Sequence, residues 1–302
     1  MSTAYLFPGQ GSQKVGMGLE LFAQVPEARA LFEQADDLLG FSLSTLCFTG
    51  PEADLTDTIN QQPALFVTSL AMLKAMDLAG WEHPAFAAGH SLGELTALTA
   101  VNSIPFADGL QLVRKRGELM KAAGEREPGA MAAILALDIP TVESVCAQAR
   151  ELTKSRLQVA NDNCPGQVVI SGDESALEKA MTLAKEAGAR KVVKLPITIA
   201  AHSDLMTSAA TEFAEAVANT PITAPTIPVI GNVQAIPLTT PDEIRTELTA
   251  QLTSAVAWTP SINYLLAQGV DTFAEVGPGE VLLSLVKRIN RKSKRVKFKI
   301  DD

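Results

Sequence analysis

Hydrophobic positions along the chain fall into short unbroken runs that alternate with longer helical patterns. "AYLF" (4–7) has strand length and runs straight into the loop "PGQGSQ". A helical pattern follows to about Leu39, and "QQPALFVTSLAMLKAMDLAG" (61–80) predicts a long buried helix that stops at Gly80. "PAFAAG" (84–89) predicts a buried strand, and "LGELTALTA" starts the next helix at Leu92. "PFADGLQLVRKRGELMKAAG" (105–124) predicts a helix with proline at its start and glycine at its end.

The pattern changes over residues 130–197. Strand "AMAAILAL", helix "PTVESVCAQARE", strands "LQVAN" and "QVVISG", helix "ESALEKAMTLAKEAG" and strand "RKVVKLPI" follow in that order. This β-α-β-β-α-β order predicts a ferredoxin-like insertion. Strand–helix alternation then resumes: helix 204–218, strand 227–232, helices 241–252 and 259–268, strand 272–276 and helix 279–290. The whole predicts an α/β fold with a mainly parallel sheet. Its expected division is a large domain in two parts, 1–126 and 199–302, around an insertion at 127–198.

Composition narrows the functional classes. The chain has 302 residues, 47% hydrophobic, which is enough for a sizeable core. A formal charge of −9 argues against nucleic acid as a partner. "MSTAYLFPGQG" lacks the basic start and apolar core of a signal peptide, and no apolar run reaches membrane-spanning length. Cys47, Cys146 and Cys164 have no metal-type spacing, so no metal is expected; they fit reduced thiols in a cytoplasm.

The candidate chemistry centres on "GHSLGE" (89–94). A serine between two glycines, with a strand before it and a helix after it, predicts a nucleophile elbow with Ser91 at the carboxyl end of the sheet. A serine hydroxyl needs a neighbouring base, and the chain has three histidines. His90 adjoins Ser91, and consecutive side chains on an extended segment point apart. His83 begins the same strand, roughly 25 Å away at ~3.3 Å per residue. His202, in "IAAHSDLM", is left as the better candidate for the base; the alternative is a capping or core histidine. The glycines of "PGQGSQ" let its backbone approach a ligand, and the amide of Leu92 is the expected second oxyanion donor. Arg116 shares a helical row with Gly109, Leu112 and Leu119. A buried guanidinium requires an anion, either a structural carboxylate or one on the substrate.

In order and spacing, "FPGQGSQ" (7–13), "GHSLGE" (89–94), "RG" (116–117), "NCPGQVVISG" (163–172), "AHS" (201–203), "NV" (232–233) and "EVGPG" (275–279) resemble the malonyl-CoA:acyl carrier protein transacylases over essentially the whole chain. The resemblance implies an α/β-hydrolase-like large domain with a ferredoxin-like insertion. It implies a Ser91 acyl ester, His202 as base, Gln10 and Leu92 amides as oxyanion donors, and Arg116 on the free carboxylate of malonate. Gln251 would orient the base, and Asn161 and Asn163 match a polar pair beside the site. No bound cofactor is implied. Malonyl-CoA would be substrate, the carrier protein would bring phosphopantetheine, and a monomer is expected. A competing activity is hydrolysis of acyl groups on carrier proteins with the same serine and histidine; members with that role usually lack the arginine. Ala201 stands where many malonyl-selective members carry a bulky Phe, which leaves room in the acyl pocket.

The segment 287–299 holds eight of the chain's 25 basic residues and no acidic one. It reads either as a solvated tail or as a surface that steers an acidic carrier protein through Arg291, Lys292, Lys294 and Arg295.

Overall fold

The structure, a computed structural model, describes residues 2–300. In chain order its strands are β1 (Thr3–Phe7), β2 (Phe86–Gly89), β3 (Ala130–Leu135), β4 (Leu157–Cys164), β5 (Gln167–Gly172), β6 (Lys191–Lys194), β7 (Val229–Ile230), β8 (Pro237–Leu238), β9 (Thr272–Glu275) and β10 (Lys294–Lys297). Six of them form one sheet in the order β10-β9-β1-β2-β7-β8, parallel except for the final β7/β8 pair. The other four form an antiparallel sheet in the order β4-β5-β3-β6. The molecule is thus a mixed α/β fold with a mainly parallel sheet and a second, antiparallel one.

The unbroken apolar run of β1 follows from its central place. Helices cover both faces of the parallel sheet, so successive residues enter opposite cores. Tyr5 and Phe7 pack into one, Ala4 and Leu6 into the other. The register pairs Phe7 with Gly89, so the loop after β1 and the turn after β2 leave the same sheet edge side by side. Ligands of parallel α/β sheets bind at such carboxyl ends.

The long helix Thr58–Leu78 contains Pro63, which has no N–H for the Ile59 carbonyl. Arg114 Nη1 points to that carbonyl instead, at 3.4 Å, from the neighbouring helix Phe106–Arg126. Gly117 lets the two helices approach, since a Cβ there would stand 2.7 Å from Thr58 O.

The antiparallel sheet packs one face on helices Ile139–Thr153 and Glu174–Glu186, through Ala132, Ile134, Val168, Ile170, Leu177 and Ala180. Its opposite face carries Met131, Ala160 and Val169. The chain's two crossings between the sheets are tied together by Gly129 N–H, which donates to Thr198 O at 3.3 Å.

The structure departs from the sequence reading at several elements. Helices Leu43–Thr49 and Glu52–Thr56 occupy a stretch with no assigned element, and the two-residue β8 was not expected. The basic segment is not a free tail. Its residues 294–297 are β10, a parallel edge strand on β9, and Phe298 is buried edge-on against Trp81. Lys297 donates to Gly279 O at 2.7 Å, whereas Arg291, Lys292 and Lys294 remain exposed. Among the described residues no helix is long and apolar enough to cross a membrane.

Candidate active site

Ser91 sits between β2 and the helix Leu92–Ala100 with φ 54° and ψ −111°, a backbone conformation costly for any L-residue. Its surroundings enforce that turn. A Cβ on Gly89 would overlap the Gly93 backbone, and one on Gly93 would overlap the Phe7 carbonyl. Asn232 clasps the turn: Ser91 N–H donates to its Oδ1 at 2.7 Å, and its Nδ2 donates to Gly89 O at 2.7 Å. Ser91 holds the N-cap position but makes no capping bond with its side chain. The hydroxyl is therefore available for chemistry, beside the positive end of a helix.

His202 Nε2 lies 2.8 Å from Ser91 Oγ. Its Nδ1 faces two carbonyls, Gln251 O at 2.9 Å and Ser254 O at 3.1 Å. Carbonyls only accept, so Nδ1 carries the proton and Nε2 is left as an acceptor for the serine proton. Burial, reinforced by the Arg116 charge, pulls the imidazole down to about 3, so it is neutral at physiological pH. Gln158 Nε2 donates to His202 O at 3.0 Å and Thr253 O at 2.9 Å, which ties β4 to the histidine's loop. Neither of the other histidines pairs with Ser91, although His90 lines the same cavity. His90 Nε2 meets Asn163 Oδ1 at 2.8 Å and packs against Trp258, while His83 lines a separate cavity near the start of β2.

Arg116 is 1% exposed and makes no ion pair with a carboxylate among the described residues. Its Nη1 donates to Gln62 Oε1 at 3.0 Å, and its Nη2 donates to Gln251 Oε1 at 2.8 Å and Ser91 Oγ at 3.1 Å. Gln62 is fixed in turn by its Nε2, 3.3 Å from Met120 Sδ. Burial lowers the guanidinium to about 10, opposed by the nearby Glu94 charge, so it stays cationic at neutral pH. Neutral oxygens hold it, and its charge is not cancelled by direct contact with an anion.

A cavity of about 680 Å³ opens over Ser91 and His202, with Arg116 buried behind the serine and outside the lining. Gln10, Gln61, Asn161 and Ala201 line it with Ser91 and His202, and Met131, Leu195 and Ile197 close its apolar side. The loop of Gln10 presses on the elbow, since a Cβ on Gly9 would overlap the His90 carbonyl. Leu92 opens its helix, so its N–H is one of the four that no helical carbonyl can reach. Asn163 stays off the cavity lining and steadies His90. The arrangement can take a proton from Ser91 Oγ, receive an oxyanion near backbone N–H groups, and hold an anionic group against Arg116.

The acyl transferase domain family matches residues 4–299. The chain belongs to this acyl transferase family. A malonyl CoA-acyl carrier protein transacylase of Bacillus subtilis (strain 168) is 46% identical over 293 residues, 97% of this chain and 92% of that protein. The crystal structure of an acyl carrier protein S-malonyltransferase from Vibrio cholerae has a TM-score of 0.95 at 41% identity, covering 99% of this chain and 97% of that one. A malonyl-transacylase solved in complex with its type II PKS acyl-carrier protein also has a TM-score of 0.95, at 36% identity, covering 99% of this chain and 96% of that one.

Sequence reasoning missed four residues around this acyl transferase site: Gln62, Glu94, Asn232 and Glu247. Asn232 was quoted only within a motif and given no role. Glu94 had a signal, a carboxylate three residues past the serine in an otherwise uncharged helix. Gln62 had a weaker one, as half of a polar pair at the start of a buried helix. Nothing in the pattern of its helix marked Glu247, whose partners Val233 and Gly231 lie across an intervening loop and strand.

Proposed function

We propose that the chain transfers malonyl from malonyl-CoA to the phosphopantetheine thiol of an acyl carrier protein, through an ester on Ser91. One observation carries this reading: the Ser91 hydroxyl lies between neutral His202 at 2.8 Å and cationic Arg116 at 3.1 Å. One neighbour activates the oxygen, and the other suits an acyl group that ends in a carboxylate.

In the first half-reaction Ser91 Oγ attacks the thioester carbonyl while its proton passes to His202 Nε2. The N–H groups of Gln10 and Leu92 receive the oxyanion. Collapse breaks the C–S bond, and His202 returns the proton to the CoA thiolate. The pantetheine thiol then gives its proton to His202, its sulfur attacks the ester, and Ser91 regains the proton. Arg116 turns from Ser91 Oγ to the terminal carboxylate, and Ala201 and Asn161 bound the acyl chain. Gln251 orients the base through its backbone carbonyl, and Asn163 braces the elbow through His90. These side chains and the two thiols suffice, without a bound cofactor.

We read the larger sheet with its elbow as α/β-hydrolase-like, and residues 127–198 as a ferredoxin-like insertion between 1–126 and 199–302; the strand order β4-β5-β3-β6 supports the latter. The three free, buried thiols favour a reducing cytoplasm, and a monomer fits a site built from one chain.

The test incubates the protein with malonyl-CoA and a holo acyl carrier protein, and follows both by mass spectrometry. The carrier should gain one malonyl group for each CoA released. Free malonate accumulating instead would assign the chain to hydrolysis, and an unmodified carrier without CoA release would reject both activities.

A further inference from the structure

Glu94 is fully buried on the first turn of the helix that Ser91 begins. Both its oxygens are engaged. Oε1 accepts the backbone N–H of Asn232 at 2.9 Å, and Oε2 accepts Gln251 Nε2. The first donor is backbone and cannot turn over; the second belongs to an amide that can. A carboxyl group offers an acceptor to both, whereas an amide in its place would offer one. An amide that presents its nitrogen to Glu94 must present its oxygen the other way, and there Gln251 Oε1 receives Arg116 Nη2 at 2.8 Å. Gln251 Nε2 also donates to Ser91 O at 3.0 Å, which aligns the nucleophile's own peptide with the same amide.

A second carboxyl, Glu247, accepts Val233 N–H at 2.7 Å, one residue past the Asn232 that donates to Glu94, and packs on Gly231. Burial raises both carboxyls, and the Glu247 charge raises Glu94 further.

We propose that Glu94 is a specificity-positioning residue: its carboxyl group fixes the Gln251 amide so that Arg116 is held by neutral oxygens and keeps its charge for the substrate carboxylate. This rests on the reading of the acyl group as malonyl. The pattern has a physical logic. A carboxylate touching Arg116 would compete with the substrate carboxylate for its N–H groups, whereas one placed an amide away leaves them on neutral oxygens that a substrate anion can displace.

The test measures kcat/KM for malonyl-CoA and acetyl-CoA in the parent and in E94Q, E247Q, Q251M and E94Q/Q251M, with thermal melts alongside. In E94Q the new amide oxygen goes to Asn232 N–H, its NH2 faces Gln251, and the Gln251 amide reverses against Arg116. The malonyl-over-acetyl ratio should fall about 10- to 100-fold, mainly through the malonyl KM. E247Q leaves both acceptor contacts of Glu94 in place and should hold the ratio within about threefold of the parent. Q251M should lower the ratio as E94Q does, and E94Q should lower it no further in that background, because it acts through the same amide. Where E94Q does not fold, Q251M against E247Q carries the test. An E94Q ratio equal to the parent's, an unchanged ratio in Q251M, multiplying effects in the double variant, or an E247Q loss as large as that of E94Q would each overturn the proposal. A parent with no preference for malonyl would instead overturn the functional reading on which it rests.

Discussion

The two walls of the cleft are built on different principles. The floor, at the carboxyl edge of the parallel sheet, holds Ser91, His202, Arg116 and Gln251, joined by hydrogen bonds between 2.8 and 3.1 Å. The roof, on the free face of the antiparallel sheet and its return segment, is mostly apolar: Met131, Leu195, Ile197 and Ala201 pack together, with Asn161 as a polar exception. Charge stabilisation requires donors fixed in advance, while the size of an acyl group is read by surface shape. Floor substitutions should therefore damage the chemistry, and roof substitutions should change which acyl groups fit.

Among substitutions that keep Ser91 and His202, the largest effect should come from Gly93→Ala. Its Cβ would overlap the Phe7 carbonyl, so the helix must shift and carry Ser91 out of line with His202. Acyl loading should fall about 100-fold or more, as expected for a displacement on the order of 1 Å. Stability should fall by about 1–3 kcal/mol in denaturant melts. Parent-like loading would mean that the floor has slack.

Arg116→Ala should come next, lowering the malonyl-over-acetyl loading ratio about 10- to 100-fold. It should also move the pH profile. In the proposed mechanism His202 works unprotonated, so loading should be lost as pH falls through its folded-state value of about 3. The Arg116 charge helps hold that value down, so its removal should shift the acidic limb to higher pH. Equal losses for both acyl groups, with an unmoved limb, would make Arg116 structural.

On the roof, Ala201→Phe should give the smallest change. It should reduce methylmalonyl loading relative to malonyl about 10-fold, with no change in the pH profile. Unchanged loading of both would show that the side chain does not bound the acyl chain.

Much of the floor was legible because its constraints are local. Glycines at 89 and 93, a strand before and a helix after define the turn, and three histidines leave few choices for a base. The β-α-β-β-α-β order was legible too, since each element carries its own periodicity. Its last strand was drawn too long: β6 ends at Lys194, and Pro196 has no N–H to extend a ladder. What stayed hidden depends on partners distant in sequence. Glu94 bonds a backbone N–H 138 residues away, and nothing local marks that contact. β10 was hidden for another reason. An edge strand pairs through its backbone and tolerates lysine and arginine side chains, so Val296 and Phe298 alone gave little sign of it.

The account stands most directly on one covalent bond. The protein is incubated with malonyl-CoA alone, quenched in acid, and its intact mass and digested peptides are measured. The account predicts a single malonyl adduct on the peptide containing residues 89–94, absent in Ser91→Ala and formed much more slowly in His202→Ala. An adduct on Cys47, Cys146 or Cys164, or an unmodified protein that still transfers malonyl to a carrier, would contradict it.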